Sequence, residues 1–146
     1  MQVEIKLDAN CEETKIVIYT SKMTEEVNEI VRRLSQESPQ IIVGIRDDKL
    51  EVLEQTNITR VYAADKRVFA VTDGGQYVVR LRLYELEERL DKSHFVRISN
   101  AEIINIKKVQ SFDLSFTGTI CVSLLDGTVT YVSRRYVAKI KQLLGI

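Results

Sequence analysis

The chain has no tryptophan, one proline, one histidine, two cysteines and six glycines among 146 residues, and each scarcity closes a route. Cys11 and Cys121 form no CxxC pair and have no His or Asp/Glu at metal-ligand spacing, so no zinc site is expected. Any Ser-His-Asp or Cys-His arrangement would have to use His94, which sits in DKSHFVRI just before an apolar strand and reads as a surface or packing residue. The pair Gly74-Gly75 and the step Asp126-Gly127 fit hairpin turns and match neither a P-loop nor GxGxxG. Glu87 and Glu88 are neighbours on a helix and point in different directions, as solvated carboxylates do. An enzyme is not expected, nor a cofactor or a small-molecule substrate. Long apolar runs are also missing, and MQVEIKLDAN lacks the basic and apolar regions of a signal peptide, so the expectation is a cytoplasmic protein with reduced thiols.

What is present is an ordinary globular composition, 45% hydrophobic and 29% charged, with a net charge of zero that conceals an asymmetry. Residues 1–57 hold 12 acidic against 7 basic side chains, whereas residues 58–146 hold 9 against 14. An anionic partner for the second part is one reading of that split.

Val3, Ile5 and Leu7 alternate with polar residues, and KIVIYT repeats the pattern after DANCEET, which predicts two short strands. A helix follows, with Thr24 as N-cap, Glu25 and Glu26 at its positive end, and Val27, Ile30, Val31 and Leu34 on one stripe until SQESPQ stops it. This β-β-α unit, residues 1–40, is too small to be stable alone and must pack on something. It is either a structural appendage or a surface for a dimer mate or other partner. Residues 41–146 form the second domain. Its strands are IIVGIR, LEVLE, ITRVYAA, RVFAVT and QYVVRL, then, after a short helix carrying Leu83, Leu86 and Leu90 on one face, HFVRI, AEIINIKKVQSFDL, TICVSLL and TVTYVS. A closing helix, RRYVAKIKQLLGI, can dock Val137, Ile140 and Leu144 on the sheet. The fold class is mainly β with short helices (α+β), antiparallel, without the βαβ rhythm of nucleotide-binding folds.

Basic residues gather at strand ends: Lys66-Arg67 in AADKR, Arg97 with Ser99-Asn100 in VRISNAE, and Arg134-Arg135 at the start of the last helix. Arg can grip guanine with two hydrogen bonds, Asn can pair with adenine, and Lys, Ser and helix N-terminal amides hold phosphates. Taken alone, these residues also fit solvated loop charges.

From Ile58 to Ile146 the sequence resembles the LytTR DNA-binding domain of bacterial regulators. NITRVYAADKRVFAVTDGGQYVVR is similar to the family's opening strands, LRLYELEERLDKSHFVRISNAEIINIKKVQSF to its helix-plus-strand signature, and VSRRYVAKIKQLLG to its closing helix. Within the signature, a leucine-rich helix is followed by Phe95 and Arg97, a polar cluster, Ile104-Asn105-Ile106 and Val109.

The resemblance implies an elongated β domain whose loops enter successive major grooves of double-stranded DNA. It implies base or near-base contacts for Asn100 and Arg135, a first contacting loop at Lys66 and Arg67, and phosphate positioning by Arg97, Ser99 and Arg134. Two positions depart from the family pattern: Ser99 stands where histidine is common and Ala101 where serine is common. Asn105 is expected to be structural, satisfying backbone groups at a strand bend. Residues 1–40 are too few for a phosphorylated receiver domain, so the layout resembles free-standing LytTR regulators. That resemblance implies a transcription regulator acting as a homodimer, at least on DNA, and a small membrane protein that restrains it. The rival reading is a protein-interaction module of the same fold that antagonises a related regulator without binding DNA, for which the three basic groups would lie scattered.

Overall fold

The computed structural model of the chain describes residues 1–35 and 41–146, in two units, Met1–Glu37 and Ser38–Ile146. The expected helix stop in SQESPQ and the expected boundary after residue 40 fall on residues 36–40, outside the described ones.

In the first unit the helix forms and the strands do not. Helix α1, Glu25–Ser35, starts where the Thr24 hydroxyl accepts from the Val27 amide at 3.3 Å, and Glu29 pairs with Arg32 and Arg33 on its polar side. Residues 1–24 contain no strand, which corrects the two predicted at Val3–Leu7 and Lys15–Thr20. The physical reason is that a lone two-stranded ribbon has nothing to bury its apolar side against and is marginal in water. Residues 1–20 are all exposed.

The second unit is antiparallel throughout. Strands β1 (Ile42–Arg46), β2 (Lys49–Leu53), β3 (Ile58–Ala64), β4 (Arg67–Thr72), β5 (Gly75–Val79), β6 (Phe95–Ser99) and β7 (Glu102–Asn105) form one sheet in the order β2-β1-β5-β4-β3-β7-β6. Strands β8 (Val109–Asp113), β9 (Ile120–Leu124) and β10 (Val129–Val132) form a second, ordered β10-β9-β8. Helix α2, Leu83–Arg89, lies between β5 and β6 in sequence, and helix α3, Arg134–Leu144, follows β10.

The β6–β7 hairpin is the wall between two cores. Phe95 and Ile103 point into the first, where Leu83, Leu86 and Leu90 bury the apolar face of α2 against Ile42, Ile58, Val61 and Ala70. Val96, Ile98 and Ile104 point into the second, with Ile120, Val122, Leu124, Val132 and Ile140, and with Val137 and Leu144 of α3 packed beside them. Every residue of β7 is therefore buried, which is why EIIN reads as a continuous run rather than an alternation. The two sheets are also tied by a hydrogen bond to a buried carboxylate. Arg60 of β3 pairs with the buried Glu102 of β7 at 2.8 Å, and the other Glu102 oxygen accepts from the Thr130 hydroxyl of β10 at 2.5 Å.

AEIINIKKVQSFDL, expected as one strand, is two. The chain leaves the first sheet at Asn105, makes one 3-10 turn over Ile106–Lys108 and enters the second sheet as β8. The Asn105 amide carries that bend: its nitrogen donates to the Ile58 carbonyl at 2.9 Å and its oxygen accepts from the Lys107 amide at 3.0 Å. Both partners are main-chain groups that the broken ladder would otherwise leave unpaired.

Candidate nucleic-acid interface

The β3–β4 hairpin closes on two residues, Asp65 and Lys66, with Ala64 paired to Arg67 across it. Both loop residues have positive φ, 51° and 62°, the twist that a two-residue connection between right-twisted strands demands. Asp tolerates this region, whereas Lys is held there at a cost. Lys66 and Arg67 are exposed at the tip.

Beside the tip lies an open groove of about 940 Å³ lined by Lys66, Arg67, Arg80, Arg82 and Arg97 against a single carboxylate, Asp65. Arg80 and Arg82 were not among the expected contact residues. Their signal was in the sequence: in Arg80-Leu81-Arg82, at the end of an alternating strand, the two cations fall on the side opposite the half-buried Leu81. Among the described residues Lys66, Arg67, Arg80 and Arg82 have no ion-pair partner, so an anion entering the groove would displace no internal carboxylate from them.

Arg97, at the back of the groove, is engaged internally. One Nη donates to Glu87 of α2 at 2.7 Å, Nε donates to the Ser99 carbonyl at 2.9 Å, and the other Nη donates to the Asn100 carbonyl at 2.6 Å. Its guanidinium therefore folds the β6–β7 turn around itself and anchors it to α2. The Ser99 hydroxyl is turned inward too, accepting from the Ala101 amide at 3.2 Å. Both side chains shape the loop. Its product is Asn100, exposed at the apex.

Asn100 is aimed from the other side by α3. The Tyr136 hydroxyl donates to Asn100 Oδ1 at 3.2 Å, and the preceding residue, Arg135, holds its guanidinium 5.9 Å from the Tyr136 ring centroid. Tyr136 was not singled out from sequence, where it reads as one more half-apolar helix position. Arg134 extends over the turn at Gly118, whose hydrogen side faces the Arg134 Nε, and both arginines are exposed at the start of the helix. The first turn of α3 carries no acid that would neutralise them.

The three basic groups are thus linked. Lys66 and Arg67 share a groove with Arg97, Arg97 holds the Asn100 loop, and Asn100 meets the residue that follows Arg135. His94, by contrast, is half-buried beside Asp91, its Nδ1 3.5 Å from the carboxylate, and touches none of these groups. Among the described residues there is no cluster of metal-ligating side chains and no helix long and apolar enough to cross a membrane.

The sequence profile of the LytTr DNA-binding domain matches residues 48–145. The chain belongs to the LytTR family. LytTR is a family of DNA-binding domains and not of enzymes, and the mainly β fold agrees: the LytTr DNA-binding domain of a Bacillus cereus protein described as a methyl-accepting/DNA response regulator superposes with a TM-score of 0.70 at 21% identity, over 73% of this chain and 97% of that one. Over 147 residues the chain is 33% identical to an uncharacterized HTH-type transcriptional regulator of Staphylococcus aureus strain NCTC 8325, covering 100% of this chain and 99% of the relative. A regulator of the same description from Staphylococcus aureus strain MRSA252 is 32% identical over the same span. These matches run through the N-terminal unit as well as the LytTR domain.

Proposed function

We propose that this LytTR protein is a sequence-specific regulator of transcription that binds paired sites on double-stranded DNA in the cytoplasm, as a homodimer or as two copies assembled on the DNA, its loops entering successive major grooves. The observation that carries this reading is the unbroken series from the unpaired cations of the groove, through the Arg97-held loop, to Asn100 and Arg135. Base-reading chemistry is what the two ends of that series offer. Asn100 supplies an amide with a donor free for a purine N7, and Arg135 a guanidinium suited to guanine O6 and N7. Lys66, Arg67, Arg80, Arg82 and Arg134 are point and fork cations suited to phosphates, which set register without reading sequence. Arg97 and Ser99 act one step back, as positioning residues for Asn100.

The relatives' description as helix-turn-helix proteins has no counterpart in this fold. Among the described residues no two helices are consecutive, since strands separate α1, α2 and α3. Recognition by loops and the start of one helix is the alternative that the architecture offers. If five cations each neutralise one phosphate, log K falls with log salt at a slope of about −4.5, a loss of about 500-fold between 50 and 200 mM salt.

Fluorescence-anisotropy titration with the DNA immediately upstream of the protein's own gene, at two salt concentrations, tests the reading. Saturable, salt-sensitive binding is expected, and Arg135→Ala should lose the preference over random duplex while leaving Tm within a degree or two. Binding no better than to random duplex would instead favour a protein-interaction module.

A further inference from the structure

We propose that residues 2–8 pair antiparallel with the same residues of a second copy of the chain, about a twofold axis at Ile5, making the N-terminal unit a homodimerisation element. This deepens the paired-site reading, on which it rests for the use of the dimer but not for its existence.

Three observations lead to it. First, Val3, Ile5 and Leu7 alternate as strand residues do, yet they stand 82%, 82% and 96% exposed with no ladder partner among the described residues. An apolar row of that kind with open backbone groups is a template for pairing. Second, the turn that would return the chain beside this segment is already formed: the Cys11 amide donates to the Asp8 carbonyl at 3.1 Å, and the Asn10 amide to the Asp8 side chain at 2.9 Å. The segment thus ends where a strand should end, and what it lacks is a partner.

The third observation selects that partner. In the antiparallel register centred on Ile5, Val3 faces Leu7 of the second copy, Ile5 faces Ile5, and Leu7 faces Val3, all on one side of the ribbon. On the other side Glu4 faces Lys6 and Lys6 faces Glu4, with Gln2 opposite Asp8 at each end. Opposite charges and apolar pairs directly across a ladder are the favourable cross-strand combinations. Slipping the register by two residues one way sets Glu4 against Glu4, slipping it the other way sets Lys6 against Lys6, and a parallel in-register pair sets both like charges together. Among these registers the Ile5-centred one alone satisfies both faces. A slip by one residue would turn the apolar row to the wrong side. Glu4 and Lys6 have no ion-pair partner among the described residues, and none of those competes for them.

The test is sedimentation equilibrium of the full chain without DNA. A mass of about 34 kDa is expected, twice the 16.8 kDa of one chain. Glu4→Lys and Lys6→Glu should each raise the dimer dissociation constant about tenfold or more, because each places two like-charge pairs across the ladder. The double variant Glu4→Lys with Lys6→Glu should restore it to within about threefold, since the exchanged charges again face their opposites. A circular-dichroism melt of each variant, expected unchanged, separates loss of pairing from loss of fold. A monomer at all concentrations overturns the proposal. So does a dimer indifferent to the single reversals, which would place the contact elsewhere, for instance on the exposed outer side of β1–β2 at Val43, Leu50 and Val52. Anisotropy on a one-site duplex stays independent of all three variants, so a protein that dimerises as described but fails there contradicts the DNA reading and not this one.

Discussion

At the scale of single residues, Asn100 is held by side chains whose hydrogen bonds are made within the fold. Asn100 has its oxygen fixed by the Tyr136 hydroxyl and its backbone fixed by Arg97, so its amide is oriented before any base arrives. Preorganisation of this kind cuts the ordering cost that a base contact would otherwise carry. Tyr136→Phe is expected to lower the preference for the cognate site about 3- to 10-fold, the worth of one hydrogen bond of roughly 1 kcal/mol, while the salt slope and Tm stay put; competition titrations with cognate and random duplex measure it. Lys66 makes a different compromise. A β-turn with two positive φ angles favours glycine at its second position, and lysine sits there at φ 62°. Lys66→Gly should therefore stabilise the fold by about 1 kcal/mol in urea denaturation and, at the same time, reduce the salt slope of binding by about 1. A stabilised variant with an unchanged salt slope would show that Lys66 contacts no phosphate. Asn100 and Arg135 were candidates through the family signature, and the structure leaves both exposed and joined through Tyr136. Tyr136 was not a candidate, because its importance lies in the Asn100 side chain it stands beside in space, which spacing along the chain does not encode; Arg80 and Arg82 show as the Arg80-Leu81-Arg82 alternation, but only the groove joins them to Lys66 and Arg67.

At the scale of elements, the β6–β7 hairpin combines two tasks: it separates the cores and presents Asn100 at its turn. The strands themselves were visible as alternating or continuous apolar runs, and α2 and α3 as leucine and isoleucine stripes. The bend at Asn105 was expected from the resemblance, and its amide does satisfy backbone groups there, but the change of sheet made at that bend was not visible. Periodicity tells which side of a strand is buried but not which sheet the strand joins, and IINIKKV is apolar enough to pass for one ladder while its middle turns through a 3-10 helix into another. The N-terminal pair fails for the opposite reason, since its pattern is sound but residues 1–20 are all exposed and a lone ribbon is marginal in water. The charge network beneath the hairpin carries a prediction at this scale. Glu102 is buried, accepts from Arg60 and Thr130, and the Arg60 Nε has no partner of its own. Glu102→Ala would strand that guanidinium and is expected to cost about 3–5 kcal/mol, read as a lowered urea midpoint. Replacing both, Arg60→Met with Glu102→Leu, should recover most of the loss, because the expense is an unpaired buried charge and not an absent attraction. Equal destabilisation of the single and double variants would show that the pair is needed for the sheet junction itself.

For the whole molecule, the question is how the labour divides between an N-terminal unit whose apolar residues are largely exposed and a LytTR domain that contains both hydrophobic cores. Every residue of the two cores lies between Ile42 and Leu144, so the stability of the fold resides in that span. Removing residues 1–37 should then leave the urea midpoint of the remaining chain unchanged. Binding to a duplex with one site should also be unchanged, with the same salt slope, because every proposed contact from Lys66 to Arg135 is retained. What should disappear is the advantage of a duplex with two sites. Tethering two domains makes the second binding step intramolecular, an effect worth about 10²- to 10⁴-fold where the geometry permits. Anisotropy titrations of full-length and shortened protein on one-site and two-site duplexes measure this as a ratio of ratios. A shortened protein that retains the full two-site advantage would assign pairing to contacts between LytTR domains on the DNA. One that loses one-site affinity as well would mean that residues 1–37 touch DNA directly, which their excess of acidic side chains argues against, since a polyanion repels carboxylates at the same range over which it attracts lysine and arginine.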